Sequence, residues 1–196
     1  MAAPPRSPTF TEFIVFRLKP SVKPEEGESN REGEQLLDLF RETMLQSGHL
    51  GSAWGRALED ENVVIWVIDT LTTNPITEFV TFAAPSDISP DQHKQFNNDQ
   101  AAFRDALLTK ITPESARPVT WARGQVERPT AFEHQDSPSG KALVYVNVVG
   151  WKSREHHMQA RDTKVFAETI EPVRKHLLTP VKGLEMKHVK FQKIGF

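Results

Sequence analysis

The segment Thr11-Glu12-Phe13-Ile14-Val15-Phe16 recurs further along the chain as Thr77-Glu78-Phe79-Val80-Thr81-Phe82, with four identities in six positions. Two tryptophans, Trp54 and Trp121, follow these segments in the same order, and an arginine and a glycine lie within three residues after each. Internal similarity in a fixed order is the signature of a repeated structural unit. The sequence therefore predicts a duplicated module that accounts for most of the chain.

In each copy of the module, the sequence pattern predicts strands on either side of a helix. The repeated segments, and the apolar stretches Asn62–Asp69 and Leu143–Gly150 that follow the tryptophans, are short and rich in β-branched and aromatic residues, as strands are. In the first copy, Leu36, Phe40 and Met44 recur at helical spacing between the first two strands. The first copy is therefore expected to begin with a βαββ order.

The second copy predicts two helices and a further strand. Ser89-Pro90-Asp91-Gln92 combines an N-cap, a proline at the first helical position and a capping-box glutamine. Ser153 can cap another helix, which Pro172 is expected to kink or restart. A last strand is expected over Leu184–Ile194. The second copy is then βαββαβ, the ferredoxin-like split unit, whereas the first ends after βαββ because only Leu71–Pro75 separates it from the next copy.

The predicted fold class is therefore α+β, with two fused ferredoxin-like units of unequal length. We expect a flexible N-terminus over residues 1–9, a truncated unit over 10–75 and a complete unit over 76–196, fused into one domain. The segment Arg128–Lys141 joins two strands of the second unit and is long for a hairpin loop. It predicts either a lid or a disordered surface insertion.

Composition excludes several classes of protein. The chain has 196 residues, a formal net charge of −2 and no cysteine, which argues against nucleic-acid binding and excludes disulfides, thiolate catalysis and cysteine-held metal clusters. The longest apolar run, Val63–Ile68, is far shorter than the ~20 residues of a membrane span. Residues 1–9 have no apolar core like that of a signal peptide. A cytoplasmic protein without a membrane or nucleic-acid partner is expected.

Four motifs resemble the dimeric α+β barrel superfamily. They are Thr-Glu-Phe-Ile-Val-Phe-Arg-Leu-Lys at 11–19, Trp-Gly-Arg at 54–56, Trp-Lys-Ser-Arg-Glu-His-His-Met at 151–158 and His-Val-Lys-Phe at 188–191. They are most similar to the antibiotic-biosynthesis-monooxygenase-like and stress-responsive branches, as found in fungi. The resemblance covers roughly residues 10–194 and implies two antiparallel sheets that face each other around a pocket, as an α+β barrel. Family members include cofactor-independent monooxygenases, polyketide cyclases, haem-handling enzymes and proteins without known activity, so the fold does not decide the function.

The resemblance also implies site residues. Plant polyketide cyclases of this type carry a histidine on the first strand, and Glu12 and Glu78 occupy the matching positions here. Their pocket histidine on the third strand matches Tyr145, which is in phase with Asn147. Their pocket tyrosine on the second helix best matches His157. These replacements depart from the cyclase pattern but keep an ionisable or hydroxyl group at each position.

Strand alternation supports a polar pocket face independently. Within Leu143–Gly150, Tyr145, Asn147 and Val149 share one face, and the opposite, all-valine face is expected to pack under helices. A buried amide without a partner costs about 1–3 kcal/mol, so Asn147 needs a hydrogen-bond partner or water. The alternative is a satisfied asparagine in a solid core.

The two glutamates and two of the histidines each have two interpretations. In an apolar cavity a glutamate is disfavoured as a charged group and is suited to act as a general base; otherwise Glu12 and Glu78 lie at the wet ends of their strands. His157 precedes Met158, which is expected to face inward, and can reach a pocket mouth, or else it is a surface residue. His188 is expected to be structural, bonding to a neighbouring strand or helix.

The tryptophans are expected to pack at equivalent points of the two sheets, or alternatively to stack on an aromatic ligand. The sequence has no HExxH, P-loop or GxGxxG motif, so neither a metal nor another cofactor is predicted. The candidate catalytic residues are Glu78, His157 and Tyr145, and the candidate substrate-binding residues are Asn147, Trp121, Trp66, Glu12 and His188.

The leading functional hypothesis is a cofactor-independent enzyme of secondary metabolism that acts on a polyketide-like or enolisable compound. Glu78 or His157 is expected to remove a proton, and Tyr145 and Asn147 to stabilise the enolate. Cyclisation, isomerisation and oxygenation all stay open. The alternatives are a non-catalytic stress-response protein that binds a hydrophobic molecule, and a haem-binding protein that uses His157 or His188. A homodimer is also expected, because the truncated unit leaves a sheet edge that must be covered; the C-terminal residues after Phe191 are the other candidate cover.

Overall fold

The computed structural model describes residues 12–45, 51–68 and 74–194. It has an α+β fold with two antiparallel sheets. The chain divides into two compact units: Asn74–Lys190 forms the second, and the residues before it form the first together with the C-terminal segment from Phe191 onward. The predicted flexible segment 1–9 lies outside the described residues.

The strands, in chain order, are β1 (Glu12–Arg17), β2 (Ser52–Arg56), β3 (Val63–Ile68), β4 (Ile76–Pro85), β5 (Thr120–Gln125), β6 (Phe132–Glu133), β7 (Lys141–Trp151), β8 (Lys187–Val189) and β9 (Gln192–Lys193). The α-helices are α1 (Arg31–Met44), α2 (Pro90–Thr109), α3 (Arg154–Arg161) and α4 (Lys164–Arg174). Two 3₁₀ turns cover Pro24–Ser29 and Glu114–Ala116.

The first unit is a sheet with the strand order β1-β3-β2-β9 and one helix, α1. Asn30 begins α1 by accepting a hydrogen bond from the Gly33 N–H, as N-cap residues do. The helix buries Phe40, whose ring lies 4.3 Å from that of Trp66 and 6.3 Å from that of Trp54. The unit is therefore held by aromatic packing between α1 and the sheet.

The second unit is a sheet with the strand order β5-β7-β4-β8, in which β6 also pairs with β7. Every pairing is antiparallel. A core of side chains from α2, α3, α4 and the sheet includes Phe96, Phe103, Trp151, Ile170 and Val173. The described strands therefore form two separate sheets, neither of which closes on itself, and the closed barrel that the resemblance implied is not seen.

The predicted helix starts are confirmed, but the predicted kink is misplaced. Ser89 and Gln92 form the complete capping box of α2, and Ser153 caps α3. The chain breaks between α3 and α4 near Thr163, whose side chain accepts a hydrogen bond from the Phe166 N–H and so starts a new helix. Pro172 lies inside α4, two residues before its last residue, so the helix does not restart there but ends shortly after it.

The predicted last strand at Leu184–Ile194 is split between the two sheets. β8 pairs with β4 in the second unit, whereas β9 pairs with β2 in the first. The segment after Phe191 therefore joins the first sheet, but among the described residues it does not cover the edge beside β1 that the missing strand leaves, so this expectation was wrong. It joins at β2, whereas the counterpart of β8 would pair with β1.

The long segment Arg128–Lys141 is an ordered hairpin. β6 lies within it and pairs with β7, and the His134 N–H donates to the Gly140 carbonyl. The buried His134 ring also lies 2.9 Å from the Thr179 carbonyl oxygen. These bonds make the disordered-insertion interpretation wrong, and the lid interpretation stays a prediction.

None of the helices in the described ranges combines the length and the apolar character that crossing a membrane requires.

Candidate functional site

The register of the second sheet brings two of the candidate residues side by side. Glu78 of β4 lies directly opposite His188 of β8 on one side and Val149 of β7 on the other. Residues that lie directly opposite each other in an antiparallel pair project from the same face of the sheet. Glu78, His188 and Val149 therefore share one face, and Glu78 and His188 are both buried.

Helix α3 brings the third ionisable residue to this place. Because Ser153 starts the helix two residues after the end of β7, α3 begins directly beside the sheet. His157 is 2% exposed, whereas Met158 is 41% exposed. The expectation that Met158 faces inward was therefore wrong by one helical position, and His157 takes the inward direction.

Glu78, His157 and His188 form a continuous buried chain of polar groups. The indole N–H of Trp151 donates to Glu78 Oε2 at 3.0 Å, and His157 Nε2 lies 3.6 Å from the same oxygen. His157 Nδ1 and His188 Nε2 are 2.7 Å apart. The Trp151 and His157 rings stack with centroids 4.6 Å apart and an interplanar angle of 23°.

The direction of the hydrogen bond between the two histidine rings follows from the donors that each ring has, whereas His157 Nε2 and Glu78 Oε2, 3.6 Å apart, are in polar contact beyond hydrogen-bond distance. A neutral imidazole carries one N–H, and a carboxylate only accepts. With an ionised Glu78, the favourable arrangement places the His157 proton on Nε2, facing the carboxylate, so that Nδ1 accepts from the Nε2–H of His188. This assignment comes from the network geometry, and it predicts a proton path from His188 through His157 to the carboxylate.

Glu78 and His157 also line a cavity between the second sheet and its helices, with a volume of about 190 Å³. An apolar cavity of about 150 Å³ accommodates benzene, so this one is large enough for a compound with a single ring. The other lining residues are mostly apolar: Val80, Phe82, Phe103, Leu107, Trp121, Val149, Trp151, Phe166, Ile170, Leu177 and Met186, together with Arg161 and Arg174.

Tyr145 and Asn147 lie on the same sheet face as Glu78 but do not line this cavity. Tyr145 packs edge-to-face on Phe96 of α2, with ring centroids 5.1 Å apart. The expectation that the valine face of β7 packs under the helices was therefore wrong, since the Tyr145 face does so. Both faces of β7 are largely buried, and alternation alone does not tell which face helices cover when both are apolar.

Asn147 is fully buried, and neither its amide nitrogen nor its amide oxygen has a hydrogen-bond partner in the described structure. Gln100 of α2 is in the same situation. No described protein group supplies the hydrogen bonds that a satisfied core asparagine needs, so the structure does not support that interpretation of Asn147. An unpaired buried amide costs free energy, so these two side chains are expected to reduce the stability of the unit.

Tyr145 belongs to a second polar cluster. Its hydroxyl lies 2.8 Å from His93 Nε2, and the guanidinium of Arg123 lies 5.2 Å from the centre of its ring. Burial raises the pKa of Tyr145, and the nearby Arg123 charge partly opposes this effect. Burial likewise lowers the pKa of Arg123. The cluster therefore favours an uncharged Tyr145.

The tryptophans are not equivalent in the two sheets. Trp66 lies opposite both Ile14 and Trp54, whereas Asn147 lies opposite both Val80 and Arg123. When the strand registers of the two sheets are aligned so that Glu12 matches Glu78, Trp54 corresponds to Arg123. The sequence repeat predicts Trp121 instead, two residues earlier.

The other candidate residues also have clear places. Trp121 lines the cavity and meets Phe103 edge-to-face at 5.9 Å. Trp66 packs in the first unit and donates its indole N–H to Ser52 Oγ at 2.6 Å. Glu12 is exposed at the start of β1, in agreement with its wet-end interpretation.

Sequence reasoning missed Trp151, Arg161 and Arg174. Trp151 ends the β7 strand in phase with Val149, and this alternation could have identified it. Arg161 and Arg174 occupy the last turns of α3 and α4. Finding them required the break between these helices, which the sequence predicts at Pro172.

The two histidines do not fit the haem-binding hypothesis. Their rings are fully buried and hydrogen-bonded to each other, and the adjoining cavity is smaller than the ~300–1,000 Å³ typical for drug-sized ligands. Within the described ranges, no group of three or more His, Asp or Glu side chains is arranged to hold a metal ion.

No protein-family model matches this sequence, and no curated protein is significantly similar to it. The resemblance to the dimeric α+β barrel superfamily therefore stays a prediction.

Proposed function

We propose that this protein is a cofactor-independent enzyme that transfers a proton on a small, mainly apolar carbonyl compound. The observation that carries the proposal is the buried chain from Glu78 through His157 to His188, two members of which line a cavity of single-ring size. A carboxylate and an imidazole at the wall of a largely apolar cavity are the groups that general acid–base catalysis uses.

In the proposed reaction, the Glu78 carboxylate removes a proton from the carbon next to the substrate carbonyl. The C–H electron pair moves into the new carbon–carbon double bond, and the carbonyl oxygen becomes an enolate oxygen. The Nε2–H of His157 donates a hydrogen bond to that oxygen as its charge develops. The neutral Glu78 carboxyl then returns its proton to the same carbon, which restores the ketone and gives hydrogen exchange, or, in a conjugated enolate, to a carbon further along the conjugated system, which completes an isomerisation without any further reactant.

Trp151 and His188 position the two reacting groups. The Trp151 indole N–H holds the Glu78 carboxylate, and its ring stacks on the His157 imidazole. His188 donates to His157 Nδ1 and so keeps the remaining His157 proton on Nε2, facing the carboxylate. Support of this kind fixes the tautomer of a catalytic histidine.

We further propose that this enzyme acts in secondary metabolism and belongs to the dimeric α+β barrel superfamily. The strand order of the second unit (second, third, first, fourth) and its chain order of strands and helices support a ferredoxin-like unit. Cyclisation of a polyketide-like compound, isomerisation and oxygenation by O₂ share the enolate as a first intermediate. Proton removal is therefore the step that the proposal predicts in each case.

A hydrophobic-ligand-binding protein is the second candidate function. The mainly apolar lining of the cavity favours it, because apolar contact alone supplies most of the affinity in a pocket of this kind. A binding protein has no need of Glu78, so proton exchange from a bound ketone separates the two functions.

The test is hydrogen–deuterium exchange in D₂O, followed by proton NMR, with three single-ring ketones: acetophenone, phenylacetone and phenylpyruvate. The wild-type protein is expected to accelerate loss of the signal next to the carbonyl of at least one of them. Glu78→Gln keeps the size of the side chain and an oxygen for the Trp151 N–H, and it is expected to slow exchange about 10²- to 10⁴-fold.

Glu168→Gln is the matched control, because Glu168 is a solvent-exposed glutamate of α4 that pairs with Lys164 on the surface. It is expected to leave exchange unchanged. Urea unfolding of each variant checks that the fold is kept. Exchange at the wild-type rate in Glu78→Gln, or no acceleration of any of the three ketones by the wild type, would rule out the proposed reaction.

A further inference from the structure

We infer that the ligand of this cavity is an organic anion of about one aromatic ring, whose carboxylate is bound by the guanidinium groups of Arg161 and Arg174. The inference rests on the proposed function, because it assigns a substrate class to the same site.

The charges of the cavity wall favour an anion. Arg161 and Arg174, both solvent-exposed, supply two positive charges to the lining, and Glu78 supplies the one carboxylate among the described lining residues. Glu78 is already bonded to the Trp151 indole and faces His157. The wall of the cavity therefore carries an excess of positive charge.

Neither arginine has another protein partner in the described ranges. No ion pair or hydrogen bond joins the guanidinium of Arg161 or Arg174 to a described residue. By contrast, Arg56 pairs with Glu25 at 3.0 Å and Arg117 pairs with Glu114 at 3.0 Å. The donors of Arg161 and Arg174 are therefore available to a ligand, and guanidinium groups bind carboxylates through paired hydrogen bonds.

The rest of the wall matches the remainder of such a ligand. Phe103, Trp121 and Phe166 offer aromatic surface, and the Trp121 and Phe166 rings both meet that of Phe103 edge-to-face. A compound with one ring and one carboxylate uses the apolar and the cationic parts of this wall together. An enolisable aryl-substituted keto acid has both parts and also a carbonyl for Glu78 and His157.

A simpler role for the two arginines is to stabilise their helices. Each lies in the last turn of its helix, where a positive side chain interacts favourably with the helix dipole. That role predicts an effect on stability but none on ligand binding. Arg154, in the first turn of the same helix as Arg161, does not line the cavity and provides a control.

The experiment measures equilibrium binding of benzoate and of the neutral benzamide to the full chain, by calorimetry and by quenching of tryptophan fluorescence. Benzoate is expected to bind at least about 10-fold more tightly than benzamide, and less tightly as salt is added. Arg161→Gln and Arg174→Gln are each expected to weaken benzoate binding by about 10-fold and to leave benzamide unchanged. Arg154→Gln should change the affinity for neither probe. Arg161→Lys keeps the positive charge and should weaken benzoate binding less than Arg161→Gln does.

Equal affinity for the two probes, no benzoate binding, or unchanged benzoate affinity in the Arg161→Gln/Arg174→Gln double variant would overturn the inference. The proposed function would survive these results if acetophenone still exchanged its protons in a Glu78-dependent manner. Arginine-dependent benzoate binding that persists in Glu78→Gln supports the inference even if no ketone exchanges, in which case the binding function would replace the catalytic one.

Discussion

The two units arrange their first three strands in the same order and fill the helix-facing side of the sheet differently. The order is β1-β3-β2 in the first unit and β4-β7-β5 in the second. At matched register positions the first sheet has Trp66 and Trp54, and the second has Asn147 and Arg123. One copy of the framework is thus built on aromatic packing, while the other has a buried amide and an exposed arginine at these positions and buries Glu78 and His157 beside a cavity. A shared backbone plan therefore does not imply a shared function.

The fourth strand makes the second difference. In the second unit, β8 pairs with β4 and places His188 next to Glu78. In the first unit, the C-terminal strand β9 pairs with β2, and β1 has β3 as its one strand partner among the described residues. Glu12 therefore has no counterpart of His188 beside it. The polar chain depends on the strand that the truncated copy lacks.

The largest predicted effect tests whether the first unit depends on its aromatic core. Phe40→Ala removes a ring that is 1% exposed and that meets Phe16, Trp54 and Trp66. Truncation of a buried phenylalanine leaves a cavity and costs about 3–5 kcal/mol. Urea unfolding monitored by tryptophan fluorescence should show this loss.

Leu39→Ala on the same helix is the control for Phe40→Ala, because Leu39 is 53% exposed. It should change the free energy of unfolding by less than about 0.5 kcal/mol. A loss of similar size in both variants would mean that the Phe40 cluster does not dominate the packing of α1.

A smaller effect of opposite sign is predicted for the second unit. Asn147→Val replaces a fully buried amide without a described partner by an apolar side chain with high strand propensity. Removing an unsatisfied polar group is expected to increase the free energy of unfolding by about 1–2 kcal/mol. Urea denaturation measures the change.

Asn147→Asp is the comparison for Asn147→Val. It buries a carboxyl group at the same place, so stability should fall, and fall further as the pH rises and the group becomes charged. A loss of stability in Asn147→Val would indicate instead that ordered water satisfies the amide. In that case the contrast between Asn147 and Trp66 would reflect a specific polar site rather than imperfect packing.

The sequence predicts local structure well and tertiary structure less well. The capping box at Ser89 and the cap at Ser153 are confirmed, because caps depend on a few neighbouring residues. The helix face of His157 was misjudged by one position, and the tryptophan match by two, because both depend on register between distant segments. The split of the last strand between two sheets has no local signal either.

The sequence predicts the candidate site only in part, because the contacts between its residues also depend on distant segments of the chain. Glu78 stands out as an ionisable residue in an apolar segment, His157 matches a pocket residue of the family that the sequence resembles, and His188 lies on a predicted strand. That they meet depends on the pairing of β4 with β8 and on the start of α3. Arg161 and Arg174 were not identified, since arginines in the last turn of a helix are ordinary surface residues until a cavity is found beside them.

The smallest effect concerns Tyr145, whose matched position in the first unit is Val64 when Glu12 and Glu78 are aligned. Burial raises the pKa of Tyr145, so its contribution to stability is complete below the ordinary tyrosine pKa of about 10 and is lost as the pH rises through the higher folded value. The chain has one tyrosine, so tyrosinate absorbance reports this residue alone. Titration of the native protein should have a higher midpoint than titration in urea, and Tyr145→Phe should unfold less readily than the wild type at alkaline pH. Coincident native and urea titrations would mean that the Tyr145 hydroxyl is as well solvated as in the unfolded chain, and the contrast with the apolar Val64 position would disappear.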